Sequence, residues 1–363
     1  MKIYCILIDT LHETPEIKKF FGGRNFTDIT QISNCSTLPS LLSLFTGKLP
    51  SDLIDRGIGY HSWKKYQKMD GSGILWPFHN EFMFKDLYEN DWDVELHFPD
   101  GRDWWCWLEL ISDPKVQITS VESHDIEEDI LYCLDGDIVR DHFKKEKEYI
   151  QSIQTSQINN KFHFVRYGYY HIALCAPKKY KNSNIESITI DQHMDLLNSW
   201  DFDEPDSLFW VFQDHGNWKS VTHKAEPSSF YTWAKVKDNT QQPLSIESKY
   251  ISICDFVSIV LKKAGIEKGD SVLDNPVDKN RIYYVDDSRA ADNLYRTTTY
   301  IACKFIDWVG EQSSKLLSIS YNNTKGLYYS FIYDIKKKEY TELEQIDESL
   351  KQSLIQRFKG EVK

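Results

Sequence analysis

No apolar run in the sequence approaches the ~20 residues that cross a bilayer, so no membrane-spanning helix is expected. Paired cysteine motifs are missing too. The seven cysteines (Cys5, Cys35, Cys106, Cys133, Cys175, Cys254, Cys303) include no CxxC, and their odd number argues against a complete disulfide framework and for a reducing cytoplasm. Basic charge is in deficit, with 43 Lys and Arg against 55 Asp and Glu and a net charge of −12. That field repels nucleic acid and anionic membrane surfaces, and an anionic substrate must be drawn in by local charge. Internal repeats and low-complexity linkers are absent. A signal peptide is not expected either, because Asp9 interrupts the short apolar start before any small-residue cleavage site.

What is present is enough chain for a large core. At 363 residues, one large domain with a smaller appendage is the natural expectation. Aromatics reach 14%, densest at Asp103-Trp104-Trp105-Cys106-Trp107, a cluster that reads either as packing or as a sugar-stacking platform.

Residues 3–8 are an unbroken apolar, β-branched run, the pattern of a strand covered on both faces in a parallel sheet. Asp9 stands at its carboxyl end, where open α/β sheets bind ligands. Ser207 to Phe212 repeats the pattern and runs into Gln213-Asp214-His215-Gly216. Thr37-Leu38-Pro39-Ser40 opens a helix that Gly47 closes, so Thr37 sits where unpaired N–H groups and the helix dipole favour an anion. Threonine is also a favoured helix cap, and that reading stays open beside the functional one. Helices are expected at 82–90, 188–200, 252–264 and 344–358, and strands at 93–98, 316–321 and 327–333. The alternation implies a parallel α/β sheet, with an α+β character from about residue 286.

Taken together, three segments resemble the alkaline phosphatase and sulfatase superfamily. Asp9-Thr10-Leu11 is similar to its opening metal-ligand strand, with His12 where arginine is usual. Thr37-Leu38-Pro39-Ser40 through Leu44-Phe45-Thr46-Gly47 resembles the sulfatase CxPSRxxLLTG pattern, with Thr37 in the nucleophile slot and Leu41 in place of arginine. Asp214-His215-Gly216 matches the DHG metal motif. Phe84 to Val94, Ser252 to Ile266 and Phe331 to Asp334 resemble further family segments, so the likeness runs nearly the whole chain.

The resemblance implies an α/β/α sandwich around a mostly parallel central sheet, with residues 1–285 as the catalytic domain and 286–363 as a small C-terminal α+β subdomain. It further implies a divalent ion held by Asp9, Thr37, Asp214 and His215, which lowers the pKa of the Thr37 hydroxyl. His223, four residues before Pro227, resembles a second-metal histidine, and His171 is another candidate, although Tyr167 stands where an aspartate is expected. One or two ions are implied. The histidines favour zinc, with manganese or calcium as alternatives. Lys64, Arg166 and Lys219 are candidates for binding the anionic group, with His61, Lys65 and Lys224 behind them; each also reads as an ordinary solvated charge.

Threonine in the nucleophile slot is similar to the family's phosphodiesterases, phosphonate hydrolases and phosphoethanolamine transferases. Formylglycine sulfatases use cysteine or serine there, and Cys35 lies two residues too early. The expectation is therefore hydrolysis or transfer of a phosphate or phosphonate ester through phospho-Thr37, the ester carried on a small molecule, a sugar or a lipid head group. An atypical sulfate-ester hydrolase and a catalytically weak relative that binds a glycan or phosphorylated ligand are the alternatives.

Overall fold

The computed structural model describes residues 1–53, 81–99, 115–120, 136–171, 184–216, 224–246, 249–268, 278–288, 298–323 and 325–358. The tryptophan cluster at 103–107, and His61, Lys64, Lys65, Lys219 and His223, lie outside these residues.

The larger sheet has eight strands in the order β4-β3-β5-β1-β6-β7-β2-β8. They are β1 (Lys2–Ile8), β2 (Thr27–Ile32), β3 (Asp93–Phe98), β4 (Val116–Ser120), β5 (Lys161–Tyr167), β6 (Ser207–Phe212), β7 (Tyr231–Asp238) and β8 (Tyr250–Ser252). The pairs β3·β4, β3·β5, β1·β5, β1·β6 and β2·β8 are parallel, whereas β6·β7 is antiparallel. A second, five-stranded sheet is antiparallel throughout: β9 (Tyr283–Ser288), β10 (Thr298–Val309), β11 (Gln312–Asn322), β12 (Leu327–Asp334) and β13 (Glu339–Leu343), ordered β13-β12-β11-β10-β9.

Eight helices accompany them among the described residues: α1 (Pro15–Gly22), α2 (Thr37–Thr46), α3 (Pro50–Leu53), α4 (Met83–Glu89), α5 (Gly136–Thr155), α6 (Ile185–Ser199), α7 (Asp255–Lys263) and α8 (Glu348–Phe358). This is the mixed α/β architecture with a mostly parallel main sheet that the sequence implied.

Two compact units make up the chain. The first comprises Met1–Asp28, Phe84–Gln213 and Trp233–Leu244; the second comprises Ile29–Met83, Asp214–Thr232 and Ser245–Lys363.

In the first unit every residue of β1, β5 and β6 is buried. Alternate side chains of a strand point to opposite faces, so both faces of these strands are covered. Tyr4, Ile6, Ile8, Val165, Tyr167, Phe209 and Val211 face one core with residues of α1, α5 and α6. Lys2 ties β1 to the end of α5: its ammonium donates to the Ile153 (3.0 Å) and Gln154 (2.7 Å) carbonyls and pairs with Glu204 at 2.9 Å. Those carbonyls are among the last four of the helix, which have no partner within it.

In the second unit β9–β12 and α8 share a core of Tyr300, Ala302, Leu317, Ile319, Leu350, Leu354 and Phe358. The α2 entry is clamped by Asn34, whose amide donates to the Pro39 carbonyl (2.8 Å) and to Ser43 Oγ (2.9 Å), while its carbonyl accepts from the Asp286 N–H (2.9 Å). Gly47 ends α2 at φ +70°, in the left-handed region where glycine carries no steric penalty.

Candidate metal centre

Each ligand candidate follows from a strand or helix end. Asp9 comes directly after β1, and its N–H donates to the Tyr167 carbonyl at the end of β5 (3.0 Å). Its side chain is fully buried. A lone carboxylate there would be very costly, and the chain supplies partners on both oxygens. Arg166 donates to Oδ2 twice, from Nε at 3.1 Å and from a terminal guanidinium nitrogen at 2.5 Å. Thr10 donates its hydroxyl to Oδ1 at 2.6 Å, and His171 Nδ1 lies 3.3 Å from the same oxygen.

Thr10 sits at φ +64°, unusual for a β-branched residue, and such strained positions concentrate at functional sites. Its hydroxyl oxygen is also 3.0 Å from His171 Nδ1. With the Thr10 proton committed to Asp9, Nδ1 of His171 is the donor, which leaves the lone pair on Nε2.

Asp214 and His215 follow β6, and both are buried. His215 Nδ1 donates to the Gly216 carbonyl at 2.9 Å, so its neutral form also carries the lone pair on Nε2, the arrangement that suits a metal ligand. Gly216 has a steric reason of its own. A Cβ added there would sit 2.0 Å from the Ser228 carbonyl oxygen, because the Gly216 N–H pairs with the Ser229 carbonyl at 2.8 Å.

Within the first unit, Asp9 and His171 each offer a ligand atom, with Nδ1 of His171 3.3 Å from Oδ1 of Asp9; Asp214 and His215 stand at the start of a segment of the second unit. Carboxylate and imidazole groups are of the kind that hold divalent ions.

Thr37 is the first residue of α2, half-buried, with Ser36 as the cap residue before it. Arg166, expected among the substrate-binding groups, is 1% exposed and occupied with Asp9. That pair is what sequence reasoning missed, since nothing in the spacing of residues 9 and 166 announces it. Lys224 is paired with Glu342 at 2.6 Å. His193 is on α6, donates Nδ1 to the Thr189 carbonyl at 2.6 Å, and has its pKa lowered by burial, so it is neutral. Cys35 is buried and accepts from Ser229 Oγ at 3.3 Å. A groove of about 670 Å³ between α5 and α6 contains none of the ligand residues and is crossed by the Lys147–Asp195 ion pair.

No protein-family model and no curated protein matches the sequence. Solved structures do resemble it. A protein in the alkaline phosphatase superfamily from Vibrio parahaemolyticus aligns with TM-score 0.56 at 13% identity, over 98% of this chain and 85% of that one. The protein i-CgsB, solved in complex with k-i-k-neocarrahexaose, aligns with TM-score 0.55 at 11% identity, over 99% and 92%. A protein of the glycosaminoglycan-metabolism locus of Bacteroides thetaiotaomicron aligns with TM-score 0.52 at 11% identity, over 99% and 98%. The chain has the fold of the alkaline phosphatase superfamily.

Proposed function

We propose that the chain is a metal-dependent hydrolase or transferase of phosphate or phosphonate esters, with Thr37 as its nucleophile. The observation that carries this reading is the buried Asp9 carboxylate at the end of β1 with His171 Nδ1 3.3 Å from its Oδ1, to which the Asp214-His215-Gly216 motif adds His215 as a proposed ligand. Asp214, beside His215 in the same motif, completes the proposed ligand set. A bound divalent ion supplies positive charge that stabilises an oxyanion and polarises the ester.

The chain's own residues do the rest. Thr37 Oγ1 gives up its proton and attacks phosphorus, the ester P–O bond breaks, and the leaving oxygen takes a proton. Water or an acceptor alcohol then attacks phospho-Thr37 and frees the hydroxyl. The first-turn position of Thr37 on α2 supports this, because the N–H groups of that turn point towards an incoming anion. With His215 Nδ1 turned to the Gly216 carbonyl, Nε2 is the ring nitrogen left to face an ion, and the Asn34 clamp fixes where α2 begins.

Threonine at position 37 and leucine at position 41 argue for phosphorus over formylglycine sulfatase chemistry. A sugar-borne ester is the proposed substrate form, in line with the carbohydrate bound by i-CgsB. The testing experiment is a panel of aryl phosphate monoesters, diesters, phosphonates and sulfates, assayed with zinc, manganese and calcium. Turnover confined to the sulfate would overturn the phosphorus assignment.

One observation favours a second reading, a non-catalytic binder of anionic glycans: Arg166 already neutralises Asp9. Absence of turnover across the panel, with no metal retained after dialysis, selects that reading.

A further inference from the structure

We propose that Arg166 is a positioning residue for Asp9: it is the counter-ion that holds this carboxylate oriented while no cation is bound, and it does so through Oδ2. The inference rests on the metal reading only for what finally occupies the site.

Both groups are buried, at 1% and 0% exposure, and lie 2.5 Å apart at their closest atoms. Arg166 faces Asp9 because β1 and β5 are in parallel register, with Leu7 opposite Arg166 and Ile8 opposite Tyr167. Both guanidinium contacts fall on Oδ2. The other oxygen, Oδ1, is turned to the Thr10 hydroxyl and the His171 ring. A guanidinium cannot shed its proton in a protein, so unlike a lysine it stays charged when buried. Asp9 therefore has a permanent partner, and its carboxylate is held at both oxygens, Oδ2 by the guanidinium and Oδ1 by the Thr10 hydroxyl.

The energetic consequence has a sign. Removing one member of a buried pair leaves the other charge uncompensated. In the metal-free protein, Arg166→Gln strands Asp9. In the metal-loaded protein, the ion takes over the neutralising role. The substitution therefore harms the metal-free state more than the loaded state, and by linkage a cation must bind the variant more tightly than it binds the native protein. A purely structural arginine harms both states equally.

The test uses the full chain and five forms: native, Arg166→Lys, Arg166→Gln, Asp9→Asn, and the Arg166→Gln/Asp9→Asn double variant. Thermal midpoints are measured in chelator and in excess zinc or manganese, and metal affinity is measured by competition with a chromophoric chelator. The expected result is a midpoint drop of several degrees for Arg166→Gln in chelator, at least half of it recovered by metal. Affinity is expected to rise about tenfold. Arg166→Lys should lie between Gln and native, and the Gln drop should shrink sharply in the Asp9→Asn background.

Equal drops with and without metal and unchanged affinity overturn the proposal, as does a Gln drop that survives in Asp9→Asn. If Arg166→Gln does not fold in chelator, recovery of folding in the double variant supports the pair, and continued failure overturns it. If the native chain binds neither metal, the functional reading fails, and the chelator arm alone decides the role of Arg166.

Discussion

Thr37 is the residue on which the proposed chemistry turns. Because Ser36 and not Thr37 occupies the cap position of α2, Thr37→Ala removes no capping side chain. Its expected effect is loss of turnover with the thermal midpoint nearly unchanged, while Thr37→Ser keeps part of the rate. A rate per folded molecule close to native for the alanine variant removes Thr37 from the mechanism. Gly216 yields a different expectation. With 2.0 Å between an added Cβ and the Ser228 oxygen, Gly216→Ala must displace backbone next to His215. The expected cost is about 2 kcal/mol or more, with weakened metal binding. Urea unfolding and metal titration check it, and an unperturbed variant would show that the loop yields freely. The placement of Asp9, Asp214 and His215 just after buried strands was legible in the sequence, because those strands are almost wholly apolar. The role of Arg166 was not. A lone arginine on a strand reads as solvated until the parallel register brings Leu7 and residue 166 side by side.

The same contrast holds for whole elements. Strands β3 and β6 have the bounds their residues imply, β3 from its polar-apolar alternation and β6 from its apolar run, and β1 begins one residue earlier. Helix α7 spans Asp255–Lys263, shorter than its apolar pattern, since Ser252 ends β8 and accepts a register pair with Ile32. Strand β5 was hidden by its own content, Lys161, His163 and Arg166, all buried and all beyond what hydrophobic periodicity detects. Helix α5 was hidden by a surface rich in charge.

That polar filling gives β5 a pH dependence. Burial, together with the positive charges of Lys161, Lys2 and His97, pushes the His163 pKa down to about 2. Its Nδ1 is 3.6 Å from Glu95 Oε2, beyond hydrogen-bond reach, and Lys161 holds that same oxygen at 2.8 Å. The histidine is therefore neutral when folded and protonates on unfolding below its ordinary value of 6.5. Its contribution is complete above pH 6.5 and is lost as pH falls, at about 1.4 kcal/mol per unit. His142 and His193, also lowered by burial, act in the same direction. Urea unfolding between pH 7 and 5 should show His163→Phe with a shallower slope than the native chain by nearly one proton; an equal slope refutes the assignment.

At the scale of the molecule, the net charge of −12 sets how an anionic ester approaches. Salt shortens the reach of that repulsion from about 30 Å at 0.01 M to about 8 Å at 0.15 M. Over that interval kcat/KM for an anionic ester should rise roughly twofold, and a neutral analogue's binding should not change. A fall with salt would instead show that local basic groups govern the encounter.

Strand β1 takes both of its neighbours from far along the chain, Lys2 lying opposite Lys161 on one side and Ser207 on the other. At about 5–20 residues per second, a ribosome needs on the order of ten to forty seconds after making β1 to deliver β6. For most of that interval, until β5 is made, Ile3 to Ile8, which the finished sheet buries completely, has neither of its neighbouring strands. Chaperone occupancy of this one segment during the wait is therefore expected to bear on soluble yield, whatever the stability of the completed sheet.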